Sequence, residues 1–152
     1  MEELLLFLVV LPLALWRQMR PHRVTMKRLA VLPAVFLVLG IAGTATRAMP
    51  TDAEAIAYLA AGAALGIGFG VWRGLVIPVW RDGDEWYEQG NAKTLTLWAV
   101  MLALKGGLAL AASAADVYPG EHSGEIYIFV ALSFAAQEGL VARRTIWSRE
   151  AA

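Results

Sequence analysis

The chain has 152 residues, 13 basic against 13 acidic, and a mean hydropathy of +0.56; 59% of its residues are hydrophobic and 17% are charged. A water-soluble domain of this length carries more charge and shorter apolar runs. Zero net charge argues against nucleic acid as a partner, which needs a basic surface. The absence of cysteine excludes disulfides, thiolate metal sites and iron–sulfur clusters.

Residues 4–16 are apolar and follow Glu2 and Glu3. A secretory signal begins basic and ends in a small-residue cleavage pattern, so a retained helix is expected here. A helix of that length rises about 20 Å, against about 30 Å of hydrocarbon. It spans only if its polar flanks stretch to the interfaces, and a re-entrant or interfacial helix is the alternative. Residues 17–28 hold Arg17, Arg20, Arg23, Lys27 and Arg28. This basic segment reads as a cytoplasmic anchor, and it also fits a contact with anionic lipid.

Residues 29–45 form the second expected span, with Pro33 near its start and Gly40 and Gly43 on a close-packing face. A short turn carrying Arg47 and Pro50 follows, and Thr51 with Glu54 fits a capping box. Residues 55–72 form the third span. Gly62, Gly66 and Gly70 are four apart and so share one face. Such a ridge permits close backbone approach, either in a homodimer or against span two or four of the same chain.

Residues 73–93 switch to charge and aromatic rings. Asp82-Gly83 between Val79-Trp80 and Trp86-Tyr87 predicts a β-hairpin, and Pro78 confines such a strand to an edge. The segment reads as a cytoplasmic loop offering Arg73, Trp80, Arg81, Asp82 and Trp86 as a contact surface. Its aromatics, Trp72 and Tyr87 included, suit the headgroup layer. Asp82, Asp84, Glu85 and Glu88 read as a solvated acidic turn rather than a cation loop.

Asn91 fits the cap of a fourth span over residues 94–115. That span carries Lys105 near its middle, which makes it a candidate functional residue. The alternative is that Lys105 extends toward the cytoplasmic end. Residues 116–124 form a loop with Tyr118 and Pro119. Residues 126–142 form the fifth span, with Ser133, Gln137 and Glu138, and Arg143, Arg144 and Arg149 follow. Lys105, Gln137 and Glu138 are the expected intramembrane polar residues. A Lys105–Glu138 pair would spare each an uncompensated charge.

Of the 13 Lys and Arg residues, Lys105 falls within a span and Arg47 falls outside; the rest fall inside. That asymmetry predicts a cytoplasmic C-terminal end and, if the first helix spans, an outer N-terminal end. Spans two and three echo spans four and five, as two parallel repeats would. No P-loop, HExxH, nucleophile elbow or dinucleotide fingerprint is present. His22 and His122 fall on opposite sides of the expected membrane.

Several short motifs resemble a family of small bacterial membrane proteins named CcdC-like after a cytochrome c biogenesis locus. They are Leu-Pro-Leu-Ala-Leu-Trp-Arg at residues 11–17 with Arg20-Pro21, and the glycine-rich span ending in Arg73-Gly74. Trp-Arg-Asp-Gly-Asp at residues 80–84 and Leu97-Trp98 ahead of Lys105 complete the set. The resemblance covers most of the chain and implies a multi-span helix bundle. It implies no haem or thiol chemistry for these residues.

The expected protein is an all-α integral membrane protein of a bacterial inner membrane: a single membrane domain over residues 1–152, a bundle of about five transmembrane helices with a short β-hairpin-like cytoplasmic loop. The expected function is a non-enzymatic accessory, assembly or binding module that self-associates, needing no cofactor or metal. The alternatives are a small transporter subunit with Lys105 lining an anion path, and a membrane enzyme acting on a lipid or isoprenoid through Lys105 and Glu138.

Overall fold

Five apolar stretches fold into five helices, each beginning earlier than hydropathy suggests. They are α1 (Glu2–Gln18), α2 (Met26–Thr44), α3 (Ala53–Val76), α4 (Ala92–Ala114) and α5 (Ser123–Glu150). The computed structural model describes residues 2–45, 51–117 and 123–150. The turn at Arg47 and Pro50 and the loop residues Tyr118, Pro119, Glu121 and His122 lie outside the described residues.

The early starts follow from capping. A helix begins where a side chain meets its first free N–H groups, not where the apolar run begins. Thr25 accepts from the Arg28 N–H ahead of α2. Asn91 and Thr94 form a reciprocal capping box ahead of α4. The box expected at Thr51 and Glu54 is not formed: the cap residue of α3 is Asp52, with no side-chain hydrogen bond to the helix. At the other end, α3 runs on through Arg73 to Val76 and α5 runs through Arg143 and Arg144 to Glu150. A helix satisfies its own backbone whatever its side chains are, so the end of an apolar run is not the end of a helix.

Four segments are long and apolar enough to cross a membrane: α2, α3, α4 and Gly124–Ser148 of α5. The apolar part of α1, Leu8–Gln18, is shorter. Helix α5 is central. Of its apolar window 61% is buried, against 28% or less for the other three. It packs against α2 and α3, and α4 lies on α3. So α2 does not pack chiefly on α3, its neighbour in sequence. The α2–α5 contact is far more extensive than the α3–α4 contact, and α5 is far more enclosed than α3, so the α2–α3 and α4–α5 hairpins do not pack as equivalent repeats.

Phe36, Trp98, Met101, Phe129, Val130 and Phe134 form the main core, joined by Leu11 and Ala14 of α1. Phe134 stacks on Phe36 at 5.6 Å and lies 4.9 Å from Trp98 between ring centres, geometry that aromatic rings favour.

The expected hairpin is present as β2 (Val79–Asp82) and β3 (Glu85–Glu88). Gly83 has a φ of 59°, which suits the first central position of a two-residue turn. Trp80 faces Tyr87 across the strands with rings stacked at 6.0 Å. A third strand, β1 (His22–Arg23), joins the far side of β3, giving the order β1-β3-β2. Pro78 precedes an edge strand, as expected. Strand β1 comes from the basic segment, where two residues carry no propensity signal that would announce it.

The sheet closes one end of the bundle over a second core of Val24, Leu29, Ile77, Val141 and Ala142. Arg144 donates to the carbonyls of Gly74 (2.6 Å) and Ile77 (3.1 Å), capping the C-terminal end of α3. Trp86 is half-buried against this core and so turns inward, not toward a headgroup layer, whereas Trp80, Arg81 and Asp82 are exposed.

Candidate functional site

The glycine ridge of α3 decides what its C-terminal half buries. Gly66 lies against Phe129, Gly70 against the Ser133 carbonyl, and Gly74 against Leu140 and the Gln137 carbonyl, all on α5. The ridge is therefore filled within the chain and is not available to a second copy. Arg73 lies three residues past Gly70, on the same face. It is carried into the bundle with none of its surface exposed.

This corrects the expectation that Arg73 belongs to a surface loop. Its guanidinium donates through Nε to Gln137 Oε1 (2.9 Å), through Nη2 to Ser133 Oγ (2.5 Å) and through Nη1 to Met101 Sδ (3.3 Å). It also lies 3.8 Å over the Trp98 ring. Ser133 and Gln137 are four apart on α5, so both reach one side of α3. Gln137 Nε2 donates onward to Glu138 Oε1 (3.2 Å), which links the Glu138 side chain to the same cluster. Trp98 donates through its indole N–H to Gln18 Oε1 (3.1 Å), which ties α1 to the same cluster.

Lys105 does not meet Glu138. Its Nζ donates to Tyr58 Oη (2.7 Å) and to Glu125 Oε1 (2.5 Å), and lies 4.4 Å over the Tyr58 ring. Glu125 and Glu138 are separated by about 20 Å of helix at 1.5 Å per residue, so one lysine cannot reach both. Nor does Lys105 extend toward the sheet end. The space for its stem is made by Gly62, where a side chain would approach Lys105 Nζ to 3.7 Å. Thr94, Trp98, Met101 and Lys105 alternate at spacings of four and three, and Ala112 follows a further seven residues on, so all turn one seam of α4 inward.

The bundle thus contains two polar layers. Each holds a buried cation: Arg73 on Gln137, Ser133 and Met101, with Glu138 beyond Gln137, and Lys105 in an ion pair with the part-buried Glu125. Of the residues singled out in the sequence, Gln137 and Glu138 belong with Arg73, and Lys105 belongs elsewhere. Tyr58, Met101, Glu125 and Gln18 carry no sequence motif. The one readable signal for them is spacing: Tyr58 lies four residues before Gly62, on the ridge face.

Chemically, both cations are occupied. The guanidinium is engaged at all three nitrogens and on one face, and the Lys105 ammonium is hydrogen-bonded to a tyrosine hydroxyl and a carboxylate. Lys105→Met is expected to strand the Glu125 carboxylate and lower stability by about 3 kcal/mol, most of which returns when Glu125→Leu is added. Thermal denaturation in detergent of both single variants and the double checks this; simple additivity would refute the pairing.

Among the described residues no group of three or more His, Asp or Glu is placed to hold a metal ion. No protein-family model, curated protein or solved structure matches this chain.

Proposed function

We propose that this chain is a multi-pass protein of a bacterial inner membrane that serves as a non-enzymatic accessory or assembly module. The membrane reading is supported by an inverted surface. Large apolar side chains point outward, with Val9 and Val38 each 65% exposed and Leu110 74% exposed, while Arg73, Lys105 and Glu138 point inward. Four apolar helical segments of 19 to 25 residues rise about 28–38 Å, enough for the hydrocarbon layer. The basic residues gather at the sheet end, which supports a cytoplasmic position for that end.

The observation that carries the functional reading is that each buried cation spends its hydrogen bonds within the chain, Arg73 on Gln137, Ser133 and Met101 and Lys105 on Tyr58 and Glu125. A carrier or a catalyst keeps a charge available to its solute or substrate. Here the charges hold α3, α4 and α5 in register, a role polar groups play between membrane helices. Self-association, if part of this role, uses an outward apolar face rather than the glycine ridge.

Because the chain has no cysteine, single cysteines report water access cleanly. Ser133→Cys places a thiol beside Arg73 with little change in volume. We expect it to resist a membrane-impermeant maleimide from both sides, while Asp116→Cys labels from outside intact cells and Ser148→Cys labels only after the inner face is opened. Labelling at position 133 would replace the module reading with a carrier. Labelling of position 148 in intact cells would invert the topology.

A further inference from the structure

Where α1, β3 and α5 meet, three buried side chains end in atoms to which no described residue is hydrogen-bonded: Gln18 Nε2, Glu88 Oε2 and Glu138 Oε2. All three residues line one recess, and they are 4%, 2% and 7% exposed. Their other polar ends are committed. Gln18 Oε1 accepts from Trp98 Nε1 (3.1 Å), Glu88 Oε1 lies 2.8 Å from His22 Nε2, and Glu138 Oε1 accepts from Gln137 Nε2 (3.2 Å). An indole nitrogen can only donate, so Trp98 fixes which end of the Gln18 amide is left for the recess.

One donor and two acceptors therefore remain, and that mixture selects the occupant. A cation serves the two oxygens and leaves the Gln18 N–H unmet. An anion serves the N–H and is repelled by the carboxylates. Arg17 and Arg28 line the same recess, but a guanidinium has no acceptor to offer an amide. The interior is about 10 Å³, the room that one water needs. A water both donates and accepts, and a buried one typically makes about three hydrogen bonds. It suits these three atoms even where one carboxyl holds a proton, because it can accept twice as well as donate twice.

We propose that this recess is a site for one ordered water, hydrogen-bonded to Gln18 Nε2, Glu88 Oε2 and Glu138 Oε2. The water closes a ring of contacts. From Arg73 the ring runs through Trp98 to Gln18, through the water to Glu138, and by Gln137 back to Arg73. It passes through α3, α4, α1 and α5 in turn, and the Glu88 bond attaches the sheet to it. The water thus gives α1, the shortest of the five helices, a polar tie to α5. It also joins the His22–Glu88 pair of the sheet to the hydrogen bonds around Arg73.

The test is nuclear magnetic resonance on the full chain in detergent micelles, with isotope-labelled glutamine. Only three glutamine side-chain amides then appear, those of Gln18, Gln89 and Gln137. Loss of one signal in Gln18→Glu assigns the first of them. The Gln18 amide is expected to show a nuclear Overhauser cross-peak to water with the sign of a long-lived complex. Gln89, whose amide donates to the Met19 carbonyl, is the reference and is expected to show none of that sign. Combining Gln18→Glu with Glu138→Gln exchanges the donor and one acceptor with little change of shape. In that double variant the side-chain amide at position 138 supplies the N–H, so the cross-peak is expected to move to it. A Gln18 amide without a long-lived water cross-peak in the wild-type chain overturns the proposal, whether or not the double variant folds. A folded double variant with no such cross-peak at position 138 overturns the sharing of one water between α1 and α5.

Discussion

Arg73→Leu is expected to lower the stability of the bundle by about 3–5 kcal/mol, the range for removing one partner of a buried charged network. Gln137 Oε1 and Ser133 Oγ each lose a hydrogen bond from a cation, and Trp98 loses the planar group over its ring. Gln137, which links Arg73 to the buried Glu138, is then held from one side only. Arg73→Lys keeps the charge but loses the three-way fork and the ring contact, so it falls between wild type and Arg73→Leu. Adding Glu138→Leu to Arg73→Leu removes the buried carboxyl beyond Gln137 and recovers part of the loss. Thermal unfolding in detergent, followed by circular dichroism, checks the series. A midpoint for Arg73→Leu equal to wild type would mean that the cation does not hold α3 to α5.

Gly70→Ala carries the second large effect, and its neighbours on the ridge supply the controls. A Cβ at position 70 would run into the Ser133 carbonyl and the Ala136 methyl on α5. A backbone carbonyl in mid-helix cannot step aside, so the helices must separate. Overpacking typically costs about 1–3 kcal/mol, occasionally more, and this site belongs at the upper end. Separation at position 70 also draws Ser133 away from Arg73, so the loss propagates to the polar layer. Gly62→Ala meets only the Lys105 side chain at ordinary contact distance and is expected to be near neutral. Gly68→Ala meets nothing within 4 Å and removes a poor helix former, a gain of at most about 1 kcal/mol. Three substitutions of one kind within nine residues therefore rank as Gly70, then Gly62, then Gly68. Equal losses at positions 62 and 70 would show that the ridge does not face α5 as described.

Particular residues mark how far the sequence could be read. The glycine spacing announced a packing face, because four-residue periodicity is a local property of a helix. It did not name the helix on the other side. Asp82-Gly83 announced the hairpin because turn chemistry is local too. Strand β1 was invisible, since His22-Arg23 becomes a strand only when β3 lies beside it. Arg73 was misread because an arginine after Trp72 looks like the end of a span. Its burial depends on α5 offering Ser133 and Gln137 at the matching height. Lys105 was singled out correctly as an interior charge and given the wrong partner. Which carboxylate it meets depends on how α4 and α5 are offset along their axes.

By itself the sequence determined five helices, the hairpin, the apolar exterior and the end at which basic residues collect. Those follow from transfer free energies and backbone geometry, which act residue by residue along the chain. Only the tertiary structure decided that α5 is the central helix and that α2 packs on α5. It also decided that Arg73 and Lys105 sit in separate layers, each with its own partners. Those outcomes depend on the rotation and depth of one helix relative to another, which hydropathy and spacing along a single helix do not encode.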